Sequence, residues 1–200
     1  MAGPFLPVQY SCEGATLRND RTQTFLMQFK SLVVSPDPRS FGRDASNPYY
    51  GLLYTVSKEL QPKFVVELGT CTGGSTSHLA AGTSGNVLSI DIEIRPDARE
   101  RLLVFDNVEL MHGDTLDENS VLSRVRERGQ IDLLFIDTLH TAEQVSTELS
   151  LFGPLVRPGG LIFFDDIRMN PGMSAWWDSL EEDKLELPEM HWTGFGVVFR

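Results

Sequence analysis

The chain has 200 residues, 41% of them hydrophobic and 22% charged, with a formal net charge of −11. These proportions suit one soluble globular domain that buries about 70% of its unfolded surface. The acidic balance sets like-charge repulsion against phosphate backbones and anionic lipid, so neither nucleic acid nor a membrane surface is an expected partner. No apolar run approaches the roughly 18 residues of a membrane span. The start, Met1-Ala2-Gly3-Pro4-Phe5-Leu6-Pro7, lacks the basic and apolar regions of a signal peptide. Cys12 and Cys71 are the only cysteines, too few for a disulfide framework, and a reducing cytoplasm is expected.

In chain order, residues 1–20 read as irregular and Arg21 to Val33 as a helix. Ser35 to Asn47, with Pro36, Pro38 and Gly42, reads as a loop of the kind that serves as a lid. Pro48 opens a helix to Leu60, since proline is tolerated in a first turn. From Lys63 onward strands alternate with helices: strands at 63–68, 86–91, 107–111, 131–136 and 160–165, helices at 74–82, 96–103, 117–128 and 141–153. That rhythm predicts a parallel sheet with helices on both faces. Leu185–His191 and Phe195–Phe199, flanking Trp192-Thr193-Gly194, predict a closing antiparallel hairpin. The expected organisation is a single domain over 1–200, with a helical and loop cap over 1–60 and a Rossmann-like core over 61–200.

Ligands of a doubly wound sheet lie beyond the carboxyl ends of its strands. The residues there are Glu67, Asp91, Asp114, Asp137, Asp165 and Asp166, all acidic. The run Phe64-Val65-Val66-Glu67-Leu68-Gly69-Thr70-Cys71-Thr72-Gly73-Gly74-Ser75-Thr76 reads as a buried strand, a glycine-rich turn and a helix start. A helix start offers free N–H groups and a positive dipole end to an anionic ligand group. The dinucleotide fingerprint needs glycine at its first, third and sixth positions. Here these are Gly69, Cys71 and Gly74, so the middle glycine is missing and NAD is disfavoured.

The block E-L-G-T-C-T-G-G-S-T resembles motif I of the class I S-adenosylmethionine (SAM) methyltransferases. Over roughly residues 48–166 the chain looks most like the small metal-dependent O-methyltransferases of the catechol and macrolide-sugar types. The resemblance implies a doubly wound, mostly parallel seven-stranded sheet with a C-terminal antiparallel hairpin. It also implies SAM contacts along Glu67, Gly69, Thr70, Cys71, Gly73 and Ser75. In that scheme Glu67 orients the methionine amino group and Ser75 binds the methionine carboxylate, with a plain helix-start role for Ser75 as the alternative. Asp91, about 20 residues beyond the glycine loop, suits both ribose hydroxyls. Gly113-Asp114 corresponds to the adenine-facing segment, with a turn or cap role for Asp114 as the alternative.

A second cluster joins Ile131-Asp132-Leu133-Leu134-Phe135-Ile136-Asp137-Thr138-Leu139-His140 to Pro158-Gly159-Gly160-Leu161-Ile162-Phe163-Phe164-Asp165-Asp166. Adjacent parallel strands bring Asp137 to Asp165 and Asp166, where three carboxylates repel unless a cation neutralises them. Oxygen ligands favour Mg²⁺, with Ca²⁺ or Mn²⁺ as alternatives. The relatives it resembles carry the same acidic residue, crossover and acidic pair at their metal site. His140, three residues past Asp137, suits a general base, and D-x-x-H resembles the sugar-modifying branch more than the catechol branch. His78, His112 and His191 read as structural, and no two-histidine, one-carboxylate iron set is evident among the four histidines. Tyr49, Tyr50, Trp176, Trp177 and Trp192 are candidates for an aromatic wall facing the acceptor, with core packing as the alternative. The expected activity is SAM-dependent O-methylation of a hydroxylated sugar or natural product. Metal-independent N- or C-methylation and non-catalytic SAM binding are the rivals. Oligomeric state is not readable from the residues, although homodimers are common for such folds.

Overall fold

A computed structural model describes residues 48–200. The helix expected at 21–33, the loop from Ser35 to Asn47 and Cys12 lie outside the described residues. The described chain runs α1 (Pro48–Leu60), β1 (Phe64–Leu68), α2 (Gly74–Gly82), β2 (Asn86–Asp91), α3 (Pro96–Leu102) and β3 (Val108–His112). One π turn, Glu118–Leu122, leads into α4 (Ser123–Arg128), followed by β4 (Ile131–Ile136), α5 (Ala142–Phe152), β5 (Val156–Asp165), α6 (Pro171–Ser179), β6 (Lys184–Glu186) and β7 (Phe195–Phe199).

The seven strands form one sheet in the order β3-β2-β1-β4-β5-β7-β6. The first five are parallel, and β7 pairs antiparallel with both β5 and β6. The order reverses between β1 and β4, which is where a doubly wound sheet opens a crevice.

Period-two alternation along the strands divides the core into two layers. Val66, Leu68, Leu88, Ile90, Leu134, Ile136, Ile162 and Phe164 join the layer that holds Val125 of α4, Val145 of α5 and Trp177 of α6. Val65, Val87, Leu133, Phe135, Phe163 and Val197 join the layer that holds Leu53 and Val56 of α1 and Leu79 of α2. Glu67, two residues past Val65, therefore points toward α2 and not into the cleft.

Three elements differ from the sequence-based expectation by more than a single residue at an end. β5 begins at Val156, four residues earlier than the apolar run suggests, because Ile131 pairs with Val156 across a register irregularity. The 117–128 helix starts as a π turn capped by the Asp117 carboxylate, which accepts from the N–H groups of Asn119 and Ser120. The strand expected over Leu185–His191 stops at Glu186. Pro188 has no N–H to offer a ladder, and the chain turns instead, with the N–H of Met190 donating to Leu187 at 3.0 Å and that of Gly194 to His191 at 2.9 Å.

At the crevice, Gly69 has φ of 97°, and a Cβ there would lie 1.9 Å from the carbonyl oxygen of Asp137. Gly69→Ala is expected to destabilise the chain by about 3 kcal/mol or more in urea unfolding. A loss below about 0.5 kcal/mol, the size of an ordinary surface change, would refute the close approach.

Candidate active site at the carboxyl end of the sheet

The turn after β1 is held by backbone and by one carboxylate. The Gly69 N–H donates to the Ile90 carbonyl at 2.8 Å and the Gly73 N–H to that of Thr70 at 2.7 Å. Cys71 and Gly73 both adopt positive φ, 47° and 73°. Oδ2 of Asp91 accepts from the N–H groups of Thr70 at 2.8 Å and Cys71 at 2.9 Å, while Oδ1 accepts from Glu93 at 3.0 Å. Asp91 thus shapes the loop, and Oδ1 keeps acceptor capacity for the expected ribose contact.

Glu67 is fully buried beneath α2. Its carboxylate accepts from the hydroxyls of Ser75 at 2.5 Å and Ser89 at 2.5 Å, and from that of Thr76. Burial pushes its pKa up to about 7, although the three hydroxyls oppose the shift. The hydroxyl of Ser75 is committed to Glu67, so both residues support the helix start from below.

Above the turn lies a cleft of about 520 Å³. Its lining includes Gly69, Cys71, Asp91, Asp114 and Asp137, five of the residues singled out in the sequence, together with Ile92 and Leu116 as apolar wall. Oδ1 of Asp114 accepts from the Leu116 N–H at 2.9 Å, a turn role that leaves its other oxygen toward solvent. The Gly113 N–H donates to the Asp91 carbonyl at 2.9 Å, and a Cβ at Gly113 would meet Val121 at 2.5 Å. A larger cleft, about 760 Å³, lies at the opposite, amino-terminal edge of the sheet. There Arg157 pairs with Asp132 at 2.5 Å and Arg128 with Glu109 at 2.6 Å, and none of the strand-end acids lines it.

Beside the first cleft the second cluster assembles. His140 bridges two carboxylates, with Nε2 at 3.1 Å from Oδ1 of Asp137 and Nδ1 at 3.0 Å from Oδ2 of Asp166. Asp166 reaches back toward Asp165 because it leaves the strand with φ of 57°. Nδ1 of His191 lies 2.7 Å from Oδ1 of Asp165 and 3.4 Å from Oδ1 of Asp166. The hydroxyl of Thr193 donates to Asp166. Burial raises the pKa of Asp137. Burial also lifts Asp165 to about 7, helped by the charges of Asp137 and Asp166. For His140, burial acts downward, but the hydrogen bond to Asp137 and the charges of Asp166 and Asp137 outweigh it and hold the ring above the usual imidazole range.

His191, read from the sequence as a structural residue of the hairpin, stands at the acidic end of β5. Asp165, Asp166 and His191 each bring a ligand atom within 4.8 Å of the others, a geometry that can hold a metal ion. The available signal was the β5–β7 pairing: Asp165 opposite Phe195 brings residues 191–194 to the acidic end of β5. None of the five candidate aromatics is among the residues that line the 520 Å³ cleft. Trp176 and Trp177 are buried against Phe164, Tyr49 stacks on Phe195 at 5.0 Å beside His191, and Trp192 is 89% exposed at the rim.

Glu67 and Asp165 hold their protons to about pH 7, whereas unfolded carboxyls release theirs near pH 4. The folded chain therefore binds more protons between those values, and stability falls as pH rises from about 4 to 7, then levels. Glu67→Gln is expected to reduce the fall in unfolding free energy between roughly pH 5 and pH 8. An unchanged slope would show that Glu67 titrates as it does unfolded.

A family model described as "Methyltransferase domain" matches residues 66–167. No curated protein sequence matches significantly. Among solved structures, the cofactor-bound Rv0187 from MTB aligns with a TM-score of 0.62 at 23% identity, over 87% of this chain and 88% of that one. The O-methyltransferase TomG from Streptomyces achromogenes, involved in tomaymycin synthesis and solved with SAM, aligns with a TM-score of 0.58 at 20% identity, over 92% of each chain. MycE of the mycinamycin pathway, solved with Mg and SAH (S-adenosylhomocysteine), aligns with a TM-score of 0.50 at 23% identity, over 78% of this chain and 41% of that one. With the family model spanning both the glycine turn and the acidic end of β5, the chain belongs to the methyltransferase-domain family and has the fold of the SAM-dependent methyltransferases.

Proposed function

We propose that the protein transfers the methyl group of SAM to a hydroxyl oxygen on a small molecule, a sugar or other natural product, with a divalent cation held by Asp137, Asp165 and Asp166. The observation that carries this reading is the His140 ring between Asp137 and Asp166 at the edge of the cleft that begins at Gly69, next to ligand atoms of Asp165, Asp166 and His191 that lie within 4.8 Å of one another. The donor set fits a cation. Burial and mutual repulsion keep Asp165 half-protonated near neutrality, as expected of oxygen ligands short of positive charge. The nearby His191 nitrogen adds a donor that Mn²⁺ accepts more readily than Mg²⁺ does. The SAM cleft passes the same test, since the carbonyl of Asp137 closes on Gly69 so tightly that no side chain stands between turn and ligand.

When bound, SAM supplies the electrophilic methyl group and a divalent ion supplies the charge that lowers the pKa of the acceptor hydroxyl. The chain's residues do the rest. The turn from Gly69 to Gly73 and Asp91 bind the cofactor, and Asp114 reaches its adenine side. His140 removes the hydroxyl proton. Asp137 and Asp166 at its two nitrogens favour the charged ring, so positive charge placed near those carboxylates would ready it as a base. MycE with Mg and SAH and TomG with SAM lend support by analogy of fold. A cytoplasmic setting without nucleic-acid or membrane partners accords with the net charge of −11, and no described helix is long and apolar enough to cross a membrane.

A second reading is favoured by the same bridge. Ring nitrogens of His140 and His191 already contact Asp166 and Asp165, so the acidic cluster has partners within the chain, as a metal-independent N- or C-methyltransferase would require. Calorimetric titration with SAH, with and without Mg²⁺ and with NAD as control, tests the cofactor reading: saturable binding of SAH but not NAD is expected. His140→Ala is expected to lower kcat by about 100-fold or more while SAH affinity stays within about twofold. Undiminished turnover removes His140 from the reaction, and full activity in chelator decides for the metal-free reading.

A further inference from the structure

Helix α5 carries an acid that none of the steps above uses. Glu148 is fully buried, and its described partners are neutral. Oε1 accepts from the hydroxyl of Thr115 at 2.5 Å and from Nε2 of Gln144 at 2.8 Å, and Oε2 accepts from the hydroxyl of Thr138 at 2.7 Å. Nε2 of Gln144 also donates to Oγ1 of Thr115 at 3.2 Å, closing a triangle. Thr115 follows Asp114 on the loop after β3, and Thr138 follows Asp137 on the loop after β4. Thr115, Thr138 and Gln144 all line the 520 Å³ cleft.

In the sheet β3 and β4 are not neighbours, since β2 and β1 lie between them. Ladder hydrogen bonds therefore cannot fix the distance between the two loops, and the cleft lies over the intervening strands. One carboxylate has two oxygens with about four acceptor sites, enough to take donors from both loops at once. A buried, fully satisfied network of this kind rigidifies what it joins.

We infer that Glu148 is a positioning residue that ties the adenine-side loop to the loop carrying Asp137, so that it sets SAM affinity without touching SAM. The inference rests on the cofactor reading above. Glu148→Ala strands three donors, of which Thr115 is buried, and is expected to lower the melting temperature, so the threonines carry the test. Thr115→Val and Thr138→Val each cut one arm, and each is expected to weaken SAH binding by about tenfold. The double variant is expected to bind no worse than the weaker single, because either cut opens the strap. Glu148→Gln, whose amide can donate to one hydroxyl and accept from the other, is expected to keep SAH affinity within about threefold.

Titration with SAH and thermal unfolding on the same four variants separate the outcomes. Lowered melting temperature with unchanged SAH affinity overturns the inference, because Glu148 is then structural only. Multiplying losses in the double variant also overturn it, because the two threonines then act separately on the cofactor. Wild-type protein that fails to bind SAH removes the cofactor reading and the inference together.

Discussion

The site depends on the approach of two backbones at the carboxyl ends of β1 and β4. The N–H of Asp137 donates to the Leu68 carbonyl at 2.8 Å, and the N–H of Gly69 turns the other way to the Ile90 carbonyl at 2.8 Å. The end of β1 is thus pinned from both neighbours, and the next residue must turn out of the sheet with positive φ and no side chain. Once that turn is made, Asp137 stands against the glycine loop. One residue then lines the cofactor cleft and begins the acidic cluster, and the two chemical parts of the site share a wall.

Charge is concentrated at that end of the sheet by two different solutions. Glu67 is relieved by hydroxyl donors and by keeping its own proton, so it is a structural acid in the floor of the turn. Asp137, Asp165 and Asp166 are relieved by two imidazoles that approach from loops on either side. The first arrangement is closed, with every partner inside the chain. The second meets ring nitrogens carried on two loops, so its partners come from outside the sheet.

The sheet was legible in the sequence because β1, β2, β4 and β5 are largely apolar runs that meet an acid at or near their carboxyl ends, as strands covered on both faces allow. Gly69, Asp91, Asp114 and Asp137 were legible for the same reason: strand ends are the only places a short turn can present side chains to one crevice. His191 was not, because its place is set by a turn that Pro188 forces and by antiparallel pairing across more than 25 residues, information that no local window holds. Glu148 escaped as well. A glutamate on an amphipathic helix reads as solvent-facing until the loops after β3 and β4 are known to fold over it. Glu67 was visible as an acid, but its direction depended on the phase of the strand alternation, which turns it under α2.

The three tryptophans are divided in a way that gives the molecule an internal optical contrast. Trp176 and Trp177 lie in the core against Phe164, whereas Trp192, 89% exposed, sits one residue from His191. Dissolved quenchers reach the exposed indole and spare the buried pair. The quenchable part of the emission therefore reports on the rim of the acidic cluster, and the protected part reports on the integrity of the layer beneath β5.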